Sequence, residues 1–268
     1  MGRFNDPVAR ELLDPAELEV VDLVRAGLAP SGDARRIGYE MVRHTGQGMV
    51  PRTIAIDDAI RDHAARQVVV VGAGLDSRAW RMPELAGATV FELDHPASQR
   101  DKRRRVGDRT PLAGRVVWVP ADLARERLED ALGQTGFDRR AATTWVWEGV
   151  VPYLSPAAVR ATTAALATLS APGSRLVVNY QDRSLSASVL RMVMRLVLRL
   201  TRQPDPMAGE RWRSLWSPSQ IRTMLGDNDF EVTHDADLLT LTSGLDVPTD
   251  NVASFRNGRV AVAVRRSS

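Results

Sequence analysis

Four consecutive valines, Val68–Val71, run directly into Gly72. An unbroken β-branched run this short, stopped by glycine, suits a strand buried on both faces, as in a parallel sheet covered by helices. Similar runs recur at Thr89–Leu93, Val116–Val119, Thr144–Trp147 and Leu176–Tyr180. Helical stretches lie between them: Gln99–Val106, then one opened by Ser155-Pro156 as cap and first turn. Alternation of this kind predicts a doubly wound α/β sheet with right-handed crossovers. Phe230–Thr233 and Val260–Val264 read as two last strands joined by a loop-like 235–258. The expected architecture is therefore a Rossmann-like seven-stranded sheet ending in an antiparallel pair.

The first 65 residues read instead as helices, with Asp6-Pro7 as cap and first turn. They predict an N-terminal helical cap over residues 1–65, followed by a core over 66–268 with a helical insertion at about 183–216. Within that insertion, Ser186–Arg202 carries Arg191, Arg195, Arg199 and Arg202 at helical spacing among Val, Leu and Met. Such a helix serves as a lid over an apolar substrate or as a contact in a homo-oligomer, with a helix lying on a membrane surface less favoured, and the sequence leaves the first two open.

Composition removes whole classes of chemistry. There is no cysteine, so disulfides, thiolate catalysis and Cys-ligated metal are excluded, and four histidines are too few for a His-rich metal centre. Net charge is only +3. Lys102 is the single lysine, so the basic side is almost wholly arginine, and no nucleic-acid partner is expected. The basic run Arg100, Lys102, Arg103, Arg104 and Arg105 reads as a solvated helix face, diluted by Asp101 and Asp108. A charged start without an apolar run predicts no secretion signal, and arginines interrupt the greasiest stretch, Ala187–Leu200. A cytoplasmic protein without stable membrane insertion is expected.

The chemistry gathers where strands end. Gly72-Ala73-Gly74 is either a tight turn or a place where backbone approaches a ligand. It lacks the third glycine of a dinucleotide cradle, which disfavours an NAD-dependent oxidoreductase. Asp94, 22 residues beyond Gly72, ends the second run where an acid accepts hydrogen bonds from a ribose diol. Asp122 follows the third run, either receiving a purine amino group or capping the next helix. Glu148 follows Trp147 at the edge of an apolar strand and needs a partner: an ammonium, a sulfonium or an arginine. Tyr153 either walls the same site or packs on the rim.

These pieces resemble the leucine carboxyl methyltransferase family of class I S-adenosylmethionine-dependent enzymes. The closer likeness is to its bacterial branch, which includes polyketide O-methyltransferases of the tetracenomycin type. The likeness rests on Arg52-Thr53 with Asp57, Gly72–Arg78, Glu92-Leu93-Asp94-His95-Pro96 with Lys102, Asp122-Leu123, and Trp147-Glu148-Gly149 with Tyr153-Leu154. It implies that Arg52 binds the methionine carboxylate of S-adenosylmethionine and that Gly72, Ala73 and Gly74 hold its methionine part. Asp94 would take the ribose, with His95 orienting that turn. Asp122 and Leu123 would meet the adenine, and Glu148 the amino group. The expected reaction is in-line methyl transfer to a small-molecule carboxylate or phenol, with His44 or Tyr153 as the candidate catalytic side chains. Methylation of a protein C-terminus is the alternative within the family.

Overall fold

The structure, a computed structural model, describes residues 6–123, 125–183, 212–247 and 252–267. The valine run forms β1 (Gln67–Val71), buried at every position. Parallel to it run β2 (Thr89–Asp94), β3 (Arg115–Pro120), β4 (Thr143–Trp147) and β5 (Arg175–Gln181). Antiparallel β6 (Phe230–Asp237) and β7 (Gly258–Arg265) finish one sheet of order β3-β2-β1-β4-β5-β7-β6. This is the expected seven-stranded Rossmann-like sheet with a C-terminal antiparallel pair. The order reverses between β1 and β4, the place where open α/β sheets bind ligands beyond the strands' carboxyl ends. Val71, Asp94 and Trp147 all finish at that edge.

Helices cover both faces. The side chains of Val69, Val71, Phe91, Trp145 and Trp147 share one core with Leu166 of α7 (Pro156–Thr168) and Ile221 of α8 (Pro218–Gly226). Between β2 and β4 come α5 (Pro96–Val106) and α6 (Leu128–Gly133), and α4 (Arg78–Arg81) follows β1. On the other face, Val68, Val70, Val90 and Val146 pack with Trp80 and with Ile56, Ala59 and Ile60. Those last three sit on α3 (Asp33–His63), the third of the N-terminal helices after α1 (Pro7–Glu11) and α2 (Pro15–Ala26). Asp6 caps α1 by accepting from the Ala9 amide, and Asp14 with Glu17 makes a capping box on α2. Among the described residues, no helix is long and apolar enough to cross a membrane.

Two expectations change. The segment 235–258 is not simply loop: β6 runs on to Asp237, whose side chain caps α9 (Leu238–Leu241), and α10 (Val252–Asn257) precedes β7. Helices of four and six residues are too short to show a 3.6-residue pattern. Nor is the basic run on α5 a uniformly solvated face. Lys102 is 1% exposed against Glu92, and Arg105 reaches back to Glu17, Asp14 and the Leu12 carbonyl. The expected insertion at 183–216 falls mostly on residues 184–211, outside the described residues.

At the sheet's opposite edge, His63 closes α3 against the strands. The Gly173 carbonyl can only accept, so Nε2 donates to it at 3.0 Å, and Nδ1 meets the Thr144 hydroxyl at 2.7 Å. Burial, aided by the Arg175 charge, lowers the pKa of His63. The unfolded chain, with a histidine pKa near 6.5, then binds the proton more readily, so stability falls as pH drops below about 6.5. In thermal denaturation the Tm advantage of wild type over His63→Gln should therefore shrink as pH falls from 7.5 to 5.5; a difference that does not change with pH would remove His63 as the cause.

Candidate active site

The glycine turn has two halves with different duties. Gly72 and Ala73 both donate to the Leu93 carbonyl, at 2.8 and 3.0 Å, which locks the end of β1 to the end of β2. Gly72 has φ +73°, and a Cβ there would lie 2.4 Å from Val150 Cγ2. Gly74, at φ +44°, has no atom within 4 Å of a Cβ position. The first glycine is thus demanded by packing, while the second faces open space. Gly72→Ala should lower Tm by roughly 5 °C or more, through left-handed strain and overpacking together. Gly74→Ala should melt closer to wild type but bind ligand more weakly. Equal Tm losses in the two variants would contradict this division.

Asp94 lies at the mouth of that turn. Its Oδ2 accepts from the Gly74 amide at 2.5 Å and its Oδ1 from the His95 amide at 2.6 Å. Each oxygen keeps a second acceptor direction. The His95 ring caps α5, its Nδ1 accepting from the Ala97 amide. Asp122 does not cap α6, whose cap position is Arg127. The Asp122 carbonyl instead accepts from the Arg125 and Glu126 amides in a tight turn that leaves Leu123 37% exposed.

Around the methionine end of the expected ligand, charged side chains knit together. Glu148 finds arginines as its partners: Arg52 Nε donates to Oε1 at 2.7 Å, and Arg78 lies 2.8 Å from Oε2. Arg78 also pairs with Asp76 and donates through Nε to Asp57 at 2.7 Å. Arg81 grips both oxygens of Asp57 and reaches Asp6, which accepts from the Ser77 hydroxyl as well. Burial alone would raise the Asp76 and Glu148 carboxyls. It is the largest single effect on each, but the Arg78 charge together with Lys102 at Asp76 and Arg52 at Glu148, helped by hydrogen bonds from Arg78, outweighs it and holds both below the ordinary range. These groups open on a cavity of about 290 Å³ whose wall includes Arg52, Gly72, Ala73, Asp76, Arg78 and Glu148, with Asp6 and Met49 at its N-terminal side.

The expected site residues divide accordingly. Arg52, Gly72, Ala73 and Glu148 share the cavity wall, whereas Gly74, Asp94, His95, Asp122 and Leu123 lie off it, Asp94 holding the Gly74 amide beside the wall residues Ala73 and Leu75. His44 and Tyr153 lie outside that wall. The His44 ring is 42% exposed beside Arg43 and Glu40, and Tyr153 is 42% exposed at the end of a short helical turn after β4. Asp6, Ser77 and Arg81 were not among the expected site residues. Only the Asp6-Pro7 cap marks the first of them in the sequence, and nothing there tells that it will reach α4. Asn179 is a further one: its side chain accepts from the Gly149 amide at 3.4 Å and donates to the Arg259 carbonyl, steadying the turn after Glu148.

Comparison with known proteins follows the same lines. Residues 2–167 match the family model described as leucine carboxyl methyltransferase. A protein of Mycobacterium strain MCS, named for S-adenosyl-L-methionine-dependent methyl transfer, is 38% identical over 160 residues, or 57% of this chain and 60% of that protein. A Streptomyces coelicolor protein named in the same way is 34% identical over 215 residues, 75% of this chain and 69% of its own. The chain therefore spans about three fifths of the length of the Mycobacterium relative. Among solved structures, the Synechocystis magnesium protoporphyrin IX methyltransferase with bound S-adenosylhomocysteine is similar, with a TM-score of 0.52 at 17% identity, covering 97% of this chain and 100% of that one. A Thermobifida fusca protein named as a methyltransferase gives 0.57 at 17% identity, covering 97% and 94%. At such identities the two structures speak for the fold.

Proposed function

The chain belongs to the leucine carboxyl methyltransferase family, and from that premise we propose that it is an S-adenosylmethionine-dependent O-methyltransferase whose small-molecule acceptor carries a carboxylate or an acidic phenol, as in polyketide-like metabolites. One observation carries the choice of acceptor. Every carboxylate on the described cavity wall is held by arginine: Asp6 by Arg81, Asp76 by Arg78, and Glu148 by Arg52 and Arg78. Asp76 and Glu148, held below the ordinary range, are poor proton acceptors, and His44 and Tyr153 stand off the wall. An acceptor arriving with its own ionised oxygen needs no general base.

The donor set fits the cofactor. Arg52 spends Nε on Glu148 and keeps its outer N–H groups for a carboxylate. Glu148, ionised and at the cavity wall, suits an ammonium. Asp94 suits a diol, and Asp122 with Leu123 an adenine. When bound, S-adenosylmethionine supplies a methyl group made electrophilic by its sulfonium. The residues then contribute position and exclusion of water more than proton transfer.

The test is methyl transfer, read by mass spectrometry, to paired carboxylate and phenol acceptors, with NADH as the control ligand. With a carboxylate, kcat/KM should stay flat from about pH 6 to 9, and His44→Ala should lie within about twofold of wild type. A bell-shaped profile together with a hundredfold loss in His44→Ala would overturn the base-free reading. The family's own description favours a second reading, a peptide C-terminal carboxylate; acceptance of peptide acids and refusal of small ones would establish it.

A further inference from the structure

The ion-pair network beneath the cavity does not balance. Asp6, Asp57, Asp76 and Glu148 bring four carboxylates; Arg52, Arg78 and Arg81 bring three guanidiniums. All seven side chains are less than one-fifth exposed, and Asp57 and Arg78 only 2% and 4%. Among the described neighbours, Lys102 and Arg61 lend positive charge toward Asp76 and Asp57, but each brings carboxylates of its own. Lys102 is answered by Glu92, and Arg61 by Asp58 and Glu84 together. Among the described residues the cluster therefore holds one negative charge in excess, in a place where net charge is costly unless a counter-charge arrives.

The methyl donor is such a counter-charge. Its amino-acid carboxylate and ammonium cancel, and the sulfonium leaves it with one net positive charge. Transfer breaks the sulfur–methyl bond and forms the oxygen–methyl bond. The electron pair of the broken bond stays on sulfur, so the demethylated product is a neutral thioether. We propose that the excess negative charge of the Asp6–Asp57–Asp76–Glu148 network is what lets this site tell charged methyl donor from neutral product, binding the first by a Coulombic advantage that disappears on turnover. Asp57 is the telling member, because it is absent from the cavity wall and, among the described residues, hydrogen-bonds to the network arginines Arg78 and Arg81. The inference rests on the cofactor reading given above.

Calorimetry separates the charge effect from mere damage. S-adenosylmethionine and S-adenosylhomocysteine are titrated at pH 8, where Glu92 is ionised, into wild type, Asp57→Asn, Arg81→Gln and the double variant. Removing a negative charge should weaken the methyl donor relative to the product by about tenfold, the scale of one charge at several ångströms in a partly polar interior. Arg81→Gln should shift the ratio the opposite way, and the double variant should return it toward wild type. Loss of both ligands in equal measure would show a structural role only and overturn the proposal. If Asp57→Asn does not fold, Asp6→Asn at the rim tests the same shift. Wild type that binds neither ligand would instead overturn the cofactor reading, and the inference with it.

Discussion

Asp94→Ala should lose S-adenosylhomocysteine binding by at least about 100-fold in calorimetry while still folding. The magnitude follows from the contacts a ribose diol would make with this carboxylate: two charge-assisted hydrogen bonds, each contributing about 1.5–3 kcal/mol. A second loss is geometric, because Asp94 also holds the Gly74 and His95 amides and so sets the mouth of the glycine turn. Asp94→Asn keeps one acceptor oxygen and should fall between the two. Retained affinity in Asp94→Ala, with the fold intact, would place the ribose elsewhere and require a new reading of that strand end.

The largest stability effect should come from Lys102→Met. Lys102 and Glu92 are each 1% exposed and meet at 2.5 Å, with the ammonium 5.2 Å from the centre of the Trp80 ring and 5.9 Å from that of Trp118. Deleting one partner of a buried pair strands the other charge, at a cost of about 3–5 kcal/mol. For a chain of this size that is a fall in Tm of roughly 6–20 °C at pH 8. Burial, opposed by Lys102, pushes the Glu92 carboxyl up to about 7, and without Lys102 it rises further. A carboxyl whose folded pKa lies above its unfolded value stabilises most when protonated, and that contribution fades as pH rises through the folded pKa. Hence the variant should recover much of its Tm at pH 6, where Glu92 takes up a proton. Glu92→Leu combined with Lys102→Met should recover it at every pH. A deficit of the same size at pH 6 and pH 8 would mean that lost packing on the two tryptophans, not stranded charge, is responsible.

The strands were legible because burial on both faces writes itself as unbroken apolar runs; Val68–Val71 and Thr144–Trp147 could hardly be anything else. Acids at strand ends were legible for a related reason, since Asp94 and Glu148 interrupt greasy sequence at positions where a soluble strand gains nothing from a charge. What escaped was anything decided by contacts far apart in the chain. Lys102 looked like one more solvated base, because nothing local tells that the helix lays that position on β2 over Glu92. The pairing of Asp57 with Arg78 spans 21 residues and two elements. Glu148 needed a partner on physical grounds, but that Arg52 and Arg78 both supply one emerged only in three dimensions. The acceptor side stayed illegible for another reason: residues 186–202 carry an amphipathic pattern that suits a lid and a subunit contact equally.

The position of β7 bears on how the protein is made. This strand, which follows every other in sequence, lies inside the sheet between β5 and β6. The Tyr180 hydroxyl donates to Asp235 while Arg259 reaches both, so the three strands are clasped by one residue from each. During synthesis β5 emerges with a bare hydrophobic edge and β6 with no strand to pair with, until Gly258–Arg265 has cleared the ribosome. A chain truncated before Gly258 should therefore leave the edges of β5 and β6 bare and aggregate, which light scattering of the truncated protein would show.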